Sequence, residues 1–158
     1  PATIFNAHPG ELFVIRNVAA VVPPYETDDT HHGTSAAIAF AVLSLNVRNI
    51  LVMGHAQCGG VAAALDNSIA ESVPFLGRWI ELLAPAATHS AHIADHTAHH
   101  VAMERDCVRL SLERLMTFPF VAERVRAGKL QLDGGRFGIA DGKLELLDRK
   151  SGSFVTVD

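Results

Sequence analysis

Hydrophobic positions along the chain fall into runs and stripes that predict alternating strands and helices. Residues 11–17 (ELFVIRN) are a short apolar run rich in Val, Ile and Phe behind Pro9-Gly10. They predict a buried strand. A polar loop with Pro23-Pro24 follows. Thr34 or Ser35 then caps a predicted helix through about residue 46, with Ile38, Val42 and Leu45 on its inner face. Residues 49–54 (NILVMG) are a second continuous apolar strand, so these three elements predict a βαβ unit with parallel strands and a right-handed crossover. The next helix begins at VAAAL. Residues 75–83 predict another, stopped by Pro85, and residues 88–116 a long one with Val108, Leu112 and Leu115 in a helical stripe. Phe118-Pro119 breaks it, and the short helix VAERVRAG ends at Gly128, a C′ glycine. The tail (LQLDGGRFGIADGKLELLD) predicts two or three strands with turns at Gly134-Gly135 and Asp141-Gly142, and residues 153–157 an edge strand. The pattern predicts one α/β domain over residues 1–158, a mainly parallel central sheet flanked by helices.

Composition narrows the function. The chain has 158 residues, 49% hydrophobic and 19% charged, enough for a real core and too apolar for disorder. No apolar run approaches the roughly 18 residues that span a bilayer, so no membrane partner is expected. A net charge of −4 with scattered Lys and Arg lacks the basic footprint of a nucleic-acid binder. Two cysteines, Cys58 and Cys107, cannot build a disulfide framework. They point to a reducing compartment and a cytoplasmic protein.

The sharpest chemistry is His55-Ala-Gln-Cys58-Gly59-Gly60, directly after the second apolar strand. Open α/β sheets place ligand sites at the carboxyl ends of parallel strands. H-x-x-C in such a turn brings an imidazole and a thiol together, and Zn²⁺ takes N and S ligands tetrahedrally. The glycines allow close backbone approach and leave the first N–H groups of the next helix free. From the residues alone, this is either half a zinc site or a buried His and a small hydrophobic Cys in an ordinary turn. Cys107, mid-helix beside Val108, reads as core. Phe13 and Phe40 read as core aromatics by default. His89, His92, His96, His99 and His100 recur at spacings of three and four, which suits a solvated helix face better than a metal relay.

Taken together, RNVA, VPPY, the GTSAAI helix and GHxxCGG, in this order and spacing, resemble the β-class carbonic anhydrases, and particularly their plant-type branch. The likeness continues through SLERLMTFPFV and the tail, so it covers nearly the whole chain. It implies a β-carbonic anhydrase-like fold and a zinc-dependent, reversible hydration of CO₂ to bicarbonate and a proton, in which hydroxide on zinc attacks the CO₂. His55 and Cys58 match two of the three zinc ligands. Gly59 matches the glycine beside the bound substrate, while Phe13 and Phe40 match the aromatics walling a narrow CO₂ pocket. Such pockets are completed across a dimer interface, so a homodimer or a dimer of dimers is implied.

The chain departs from the family pattern in four places. Phe40 stands where many relatives have Tyr, and Ala39 where many have Glu. The family's C-x-D-x-R motif, which supplies the other zinc cysteine and an Asp–Arg pair, precedes the segment that begins here and occurs nowhere in the chain; Asp106-Cys107-Val108-Arg109 is no substitute. An N-terminal helical arm is likewise missing. The sequence is therefore expected to be truncated at its N-terminus, with the third ligand and the Asp–Arg pair supplied by an absent segment and no catalytic Asp–Arg of its own. Hydrolysis of carbonyl sulfide or carbon disulfide on the same scaffold, and a zinc-free binding homologue, stay open as alternatives.

Overall fold

β1 (Asn49–His55) and β2 (Gln131–Phe137) form a parallel pair, with Asn49 opposite Gln131 and His55 opposite Phe137. β3 (Leu144–Leu147) and β4 (Phe154–Val157) extend the sheet in antiparallel fashion, in the order β1-β2-β3-β4. These elements belong to a computed structural model that describes residues 1–28, 30–66 and 73–157. The helices are α1 (Ala2–Phe5), α2 (Gly33–Ala39), α3 (Gly59–Asp66), α4 (Leu76–Glu81), α5 (Ala84–Ser90), α6 (His96–Leu115) and α7 (Pro119–Arg126). The predicted α/β architecture holds, with helices around a central sheet. Among the described residues the sheet is mixed, and its parallel part is the β1–β2 pair.

α6 organises the core. Asp95 caps it by accepting the N–H of Ala98 at 2.7 Å, satisfying one of the free donors of its first turn. Met103 and Cys107 pack with Val61 of α3, Ile80 of α4 and Leu83 between α4 and α5, while Val108 and Leu115 pack with Val52, Phe118 and Val121. Each such side chain, fully buried, contributes roughly 1.5–3 kcal/mol. Gly134 lets α6 lie close on β2: a Cβ there would sit 2.8 Å from Val108 Cγ1 and 2.9 Å from Leu112 Cδ1. That closeness is why Gly134-Gly135 lies inside a strand and not in the expected turn. Asp141-Gly142 is a turn, with Gly142 at φ +69°, and Gly128 follows α7 at φ +66°, as a C′ glycine does.

Other expectations are corrected. Residues 11–17 form no strand; Leu12, Phe13, Val14 and Ile15 are exposed and have no ladder partner in the described residues. Apolar runs of this length suit any half-buried surface, so the pattern alone does not distinguish a sheet strand from an uncovered face. α2 starts behind His32, and neither Thr34 nor Ser35 caps it; Thr34 Oγ1 instead accepts from Asn17 Nδ2. After Ala39 the helix widens into a π-helical turn over Phe40–Ser44, closed by Leu45 N–H to the Phe40 carbonyl at 3.0 Å. Ile38 and Val42 are buried as expected, but that wider turn carries Leu45 out to the surface. Pro85 opens α5 instead of ending a helix, since the first turn needs no proline N–H. The long predicted helix over 88–116 is thus two, α5 and α6, and its histidines do not share one face.

Candidate metal centre

The turn leaving β1 is built from local constraints. Ala56 N–H still pairs with the Phe137 carbonyl at 2.9 Å, and then Gln57 turns the chain at φ +55°. A non-glycine residue in that region is uncommon and costs energy, and such residues cluster at functional sites. Cys58 then caps α3, its carbonyl accepting Ala62 N–H at 3.0 Å. Gly60 has to be glycine for packing: a Cβ would meet Val18 Cγ1 at 2.7 Å and Ala19 Cβ at 3.0 Å. Gly59 faces open space, with nothing within 4 Å of the same position.

The opposing wall is the turn Val18–Ala20, in which Ala19 (φ +64°) and Ala20 (φ +50°) are both left-handed. Three side chains hold it. Trp79 Nε1 donates to the Val18 carbonyl at 2.9 Å, and Ser111 Oγ donates to the Ala20 carbonyl at 3.2 Å while accepting Val22 N–H at 3.1 Å. Arg114 Nη1 donates to the Val22 carbonyl at 3.2 Å.

His55 and Cys58 meet at one small cavity, which Ala19, Gly54, Glu104 and Cys107 also line. Its volume of about 10 Å³ is near the least that admits a water. His55 Nδ1 lies 3.0 Å from the Ala56 carbonyl. A carbonyl only accepts, so Nδ1 carries the proton and Nε2 of the neutral ring is left with its lone pair. Fixing the tautomer through the other nitrogen is what ligating histidines require. Cys58 is 6% exposed and contributes a soft sulfur. The donor set therefore fits two positions of a zinc site. Among the described residues no group of three or more His, Cys, Asp or Glu side chains is placed to hold a metal.

Cys107 faces the same cavity but behaves as core. Burial, with Cys58, Asp106 and Glu104 nearby, pushes its thiol up to about 12, so it stays protonated at neutral pH and is a poor ligand. Phe13 and Phe40, by default core residues, are instead surface residues packed on each other. The structure thus joins His55 with Cys58, and Phe13 with Phe40.

One residue that the sequence reading passed over stands at the cavity. Glu104 on α6 is 2% exposed. Its Oε1 accepts Cys58 N–H at 3.3 Å and lies 2.9 Å from His100 Nδ1; its Oε2 accepts Arg136 Nε at 2.6 Å. Arg136 also reaches Glu145 on β3, which is paired with Arg105 at 2.7 Å. Burial tends to raise the Glu145 carboxyl, but hydrogen bonds and charge from Arg105 and Arg136 outweigh it and hold the pKa below its ordinary value. The sequence signal for Glu104 is its place four residues before Val108 and seven before Ser111, on the buried stripe of α6. The histidines are dispersed: His100 joins Glu104, whereas His89 Nδ1 meets Asp106 Oδ2 at 2.8 Å.

Known proteins share this chain's pattern. The protein-family profile described as carbonic anhydrase matches residues 1–144. The chloroplastic β carbonic anhydrase 5 of Arabidopsis thaliana is 37% identical over 147 residues, covering 89% of this chain and 48% of that protein. β carbonic anhydrase 3 of the same plant is 34% identical over 152 residues, covering 92% and 58%. The chain thus spans about half the length of the curated relatives it matches. The structure of the β-carbonic anhydrase CcaA superposes with a TM-score of 0.91 at 27% identity, covering 100% of this chain and 72% of that one. A structure described with two tetrameric β-carbonic anhydrases of the ascomycete Sordaria macrospora gives 0.80 at 30% identity, covering 98% and 75%. Motif, fold and these likenesses agree that the chain belongs to the β-class carbonic anhydrase family.

Proposed function

We propose that this domain serves the zinc-dependent, reversible hydration of CO₂ to bicarbonate. The observation that carries the reading is the pairing of His55, its Nδ1 tied off by a carbonyl, with the buried thiol of Cys58 at one water-sized cavity. His55 Nε2 and Cys58 Sγ would hold the metal. When bound, zinc acidifies water enough to provide hydroxide near neutral pH.

The chain's own residues do the rest. The Ala56 carbonyl keeps the His55 proton on Nδ1. The turn Val18–Ala20 packs on Gly60 at the start of α3 and brings Ala19 to the cavity wall. Gly59 leaves the approach open for a small linear substrate. Phe13 and Phe40 do not line this chain's own cavity; their paired, exposed rings would offer an apolar wall to CO₂ where an oligomer brings them to a neighbouring site.

In this reading the third ligand and an Asp–Arg pair come from outside these 158 residues. β1 supports it. β1 lies at the end of the strand order and pairs only with β2 among the described residues, so its other edge offers a ladder to a further strand. A homo-oligomer fits the exposed apolar residues Leu12, Phe13, Val14, Ile15 and Phe40.

Stopped-flow CO₂ hydration by the full-length protein, with zinc measured on the same sample, tests the reading. Catalysis at one zinc per chain is the expected result. Zinc-free protein without hydration activity would overturn it.

A further inference from the structure

Glu104 occupies a position that a merely structural ion pair does not explain. Burying a carboxylate is costly unless its charge and lone pairs are met. Arg136 and His100 meet most of that need, at 2.6 and 2.9 Å. The carboxylate nevertheless takes the backbone N–H of Cys58 as well. That N–H has no sheet partner, because the chain leaves the β1–β2 ladder after Ala56. Left alone in the interior it would carry the full penalty of an unmade hydrogen bond. The orientation of Cys58 is thus set by a side chain 46 residues away, on the helix that backs the sheet.

Both backbone groups of Cys58 are then fixed. The N–H goes to Glu104 and the carbonyl to Ala62 N–H. Glu104, His55 and Cys58 line the same cavity. Arg136 from β2 and His100 from α6 in turn hold the carboxylate, so two elements outside the turn converge on one atom of it.

We propose that Glu104 is a positioning residue for the metal centre. By accepting the Cys58 N–H, it holds the Cys58 sulfur toward the cavity shared with His55, and Arg136 and His100 hold Glu104. The inference rests on the zinc reading above and adds a residue from outside the H-x-x-C turn. Outer partners of this kind typically contribute 10–100-fold to metal affinity.

The test compares Glu104→Ala, Glu104→Gln and the control Glu145→Gln in the full-length protein. Zinc affinity is read by chelator competition, and backbone amide exchange by NMR. In Glu104→Ala, zinc binding should weaken about 10–100-fold. Protection should be lost at the Cys58 amide and kept at Val52 in mid-β1. Glu104→Gln keeps an acceptor for Cys58, so its affinity should fall between wild type and alanine; if the alanine variant does not fold, a weakened glutamine variant with altered exchange at Cys58 is the supporting result. Glu145→Gln touches the same network but not Cys58 and should bind zinc as wild type does. Wild-type affinity in both Glu104 variants, or an equal loss in the Glu145 control, would overturn the proposal alone. Failure of the unaltered protein to bind zinc would overturn the metal reading and this proposal together.

Discussion

Phe13 and Phe40 pack on each other with ring centroids 5.9 Å apart and planes tilted by 44°, although they are 45% and 50% exposed. The pair joins the segment after Gly10 to the π-helical turn that follows α2. Leu12, Val14 and Ile15 beside it are also large apolar side chains left exposed, and exposed apolar patches mark interaction sites. Phe40→Arg should place a charge in that surface and lower the mass seen by light scattering from an oligomer to a monomer. An unchanged mass would remove this face from the assembly.

His55→Ala and Cys58→Ser each delete a proposed ligand. Bound zinc should fall from about one per chain to near zero, because affinity follows ligand number and deprotonated donors. CO₂ hydration should fall by more than the roughly 10–100-fold that loss of an outer partner produces. Zinc analysis after dialysis and stopped-flow assay read the two effects separately. Cys107→Ser is the contrast, with zinc retained.

Gly134 and Gly60 are both packed tightly against neighbouring side chains. Gly134→Ala would drive a methyl against Val108 and Leu112, and Gly60→Ala against Val18 and Ala19. Overpacking of this kind costs about 1–3 kcal/mol. Urea unfolding should show both losses, whereas Gly59→Ala, facing open space, should be close to neutral.

Ser111 satisfies two backbone groups of the loop that walls the cavity. Ser111→Ala leaves the buried Val22 N–H without its acceptor, a loss of about 1–3 kcal/mol. Thermal melts measure it. Hydrogen exchange at residues 18–22 should rise more than exchange in β2.

Glu145 gives the fold a defined acid response. Its folded pKa is depressed below the ordinary 4.5. Its contribution is therefore complete above that value and is lost as the pH falls through the lower folded value. Glu145→Gln should flatten the stability profile in that acidic window and leave the slope near neutrality unchanged, as chemical denaturation at a series of pH values will show.

Much of the fold and the turn that carries the candidate site were legible because local signals and global packing agree there. NILVMG-HAQCGG announces a strand, a turn and a helix, and β1 and α3 follow; Gly128 and Asp141-Gly142 likewise act as local punctuation. Legibility failed where a partner distant in sequence decides. Gly134-Gly135 resembles a turn until α6 is laid over it. The apolar residues 11–17 look like a strand until the sheet is built without them. Pro85 is read as a stop unless the residues after it are known to be helical. Glu104 carries no motif of its own in the sequence, and only the fold brings Cys58, Arg136 and His100 to it.

Asn49 pairs with Gln131 across about 80 intervening residues, and closing so long a loop is slow and entropically unfavourable before other contacts form. α3, α5 and α6 lie within that loop, and their packing shortens the effective search. Refolding should therefore begin among the helices, with the parallel pair zipping late. The turn bearing His55 and Cys58 would be among the last parts of the domain to take shape.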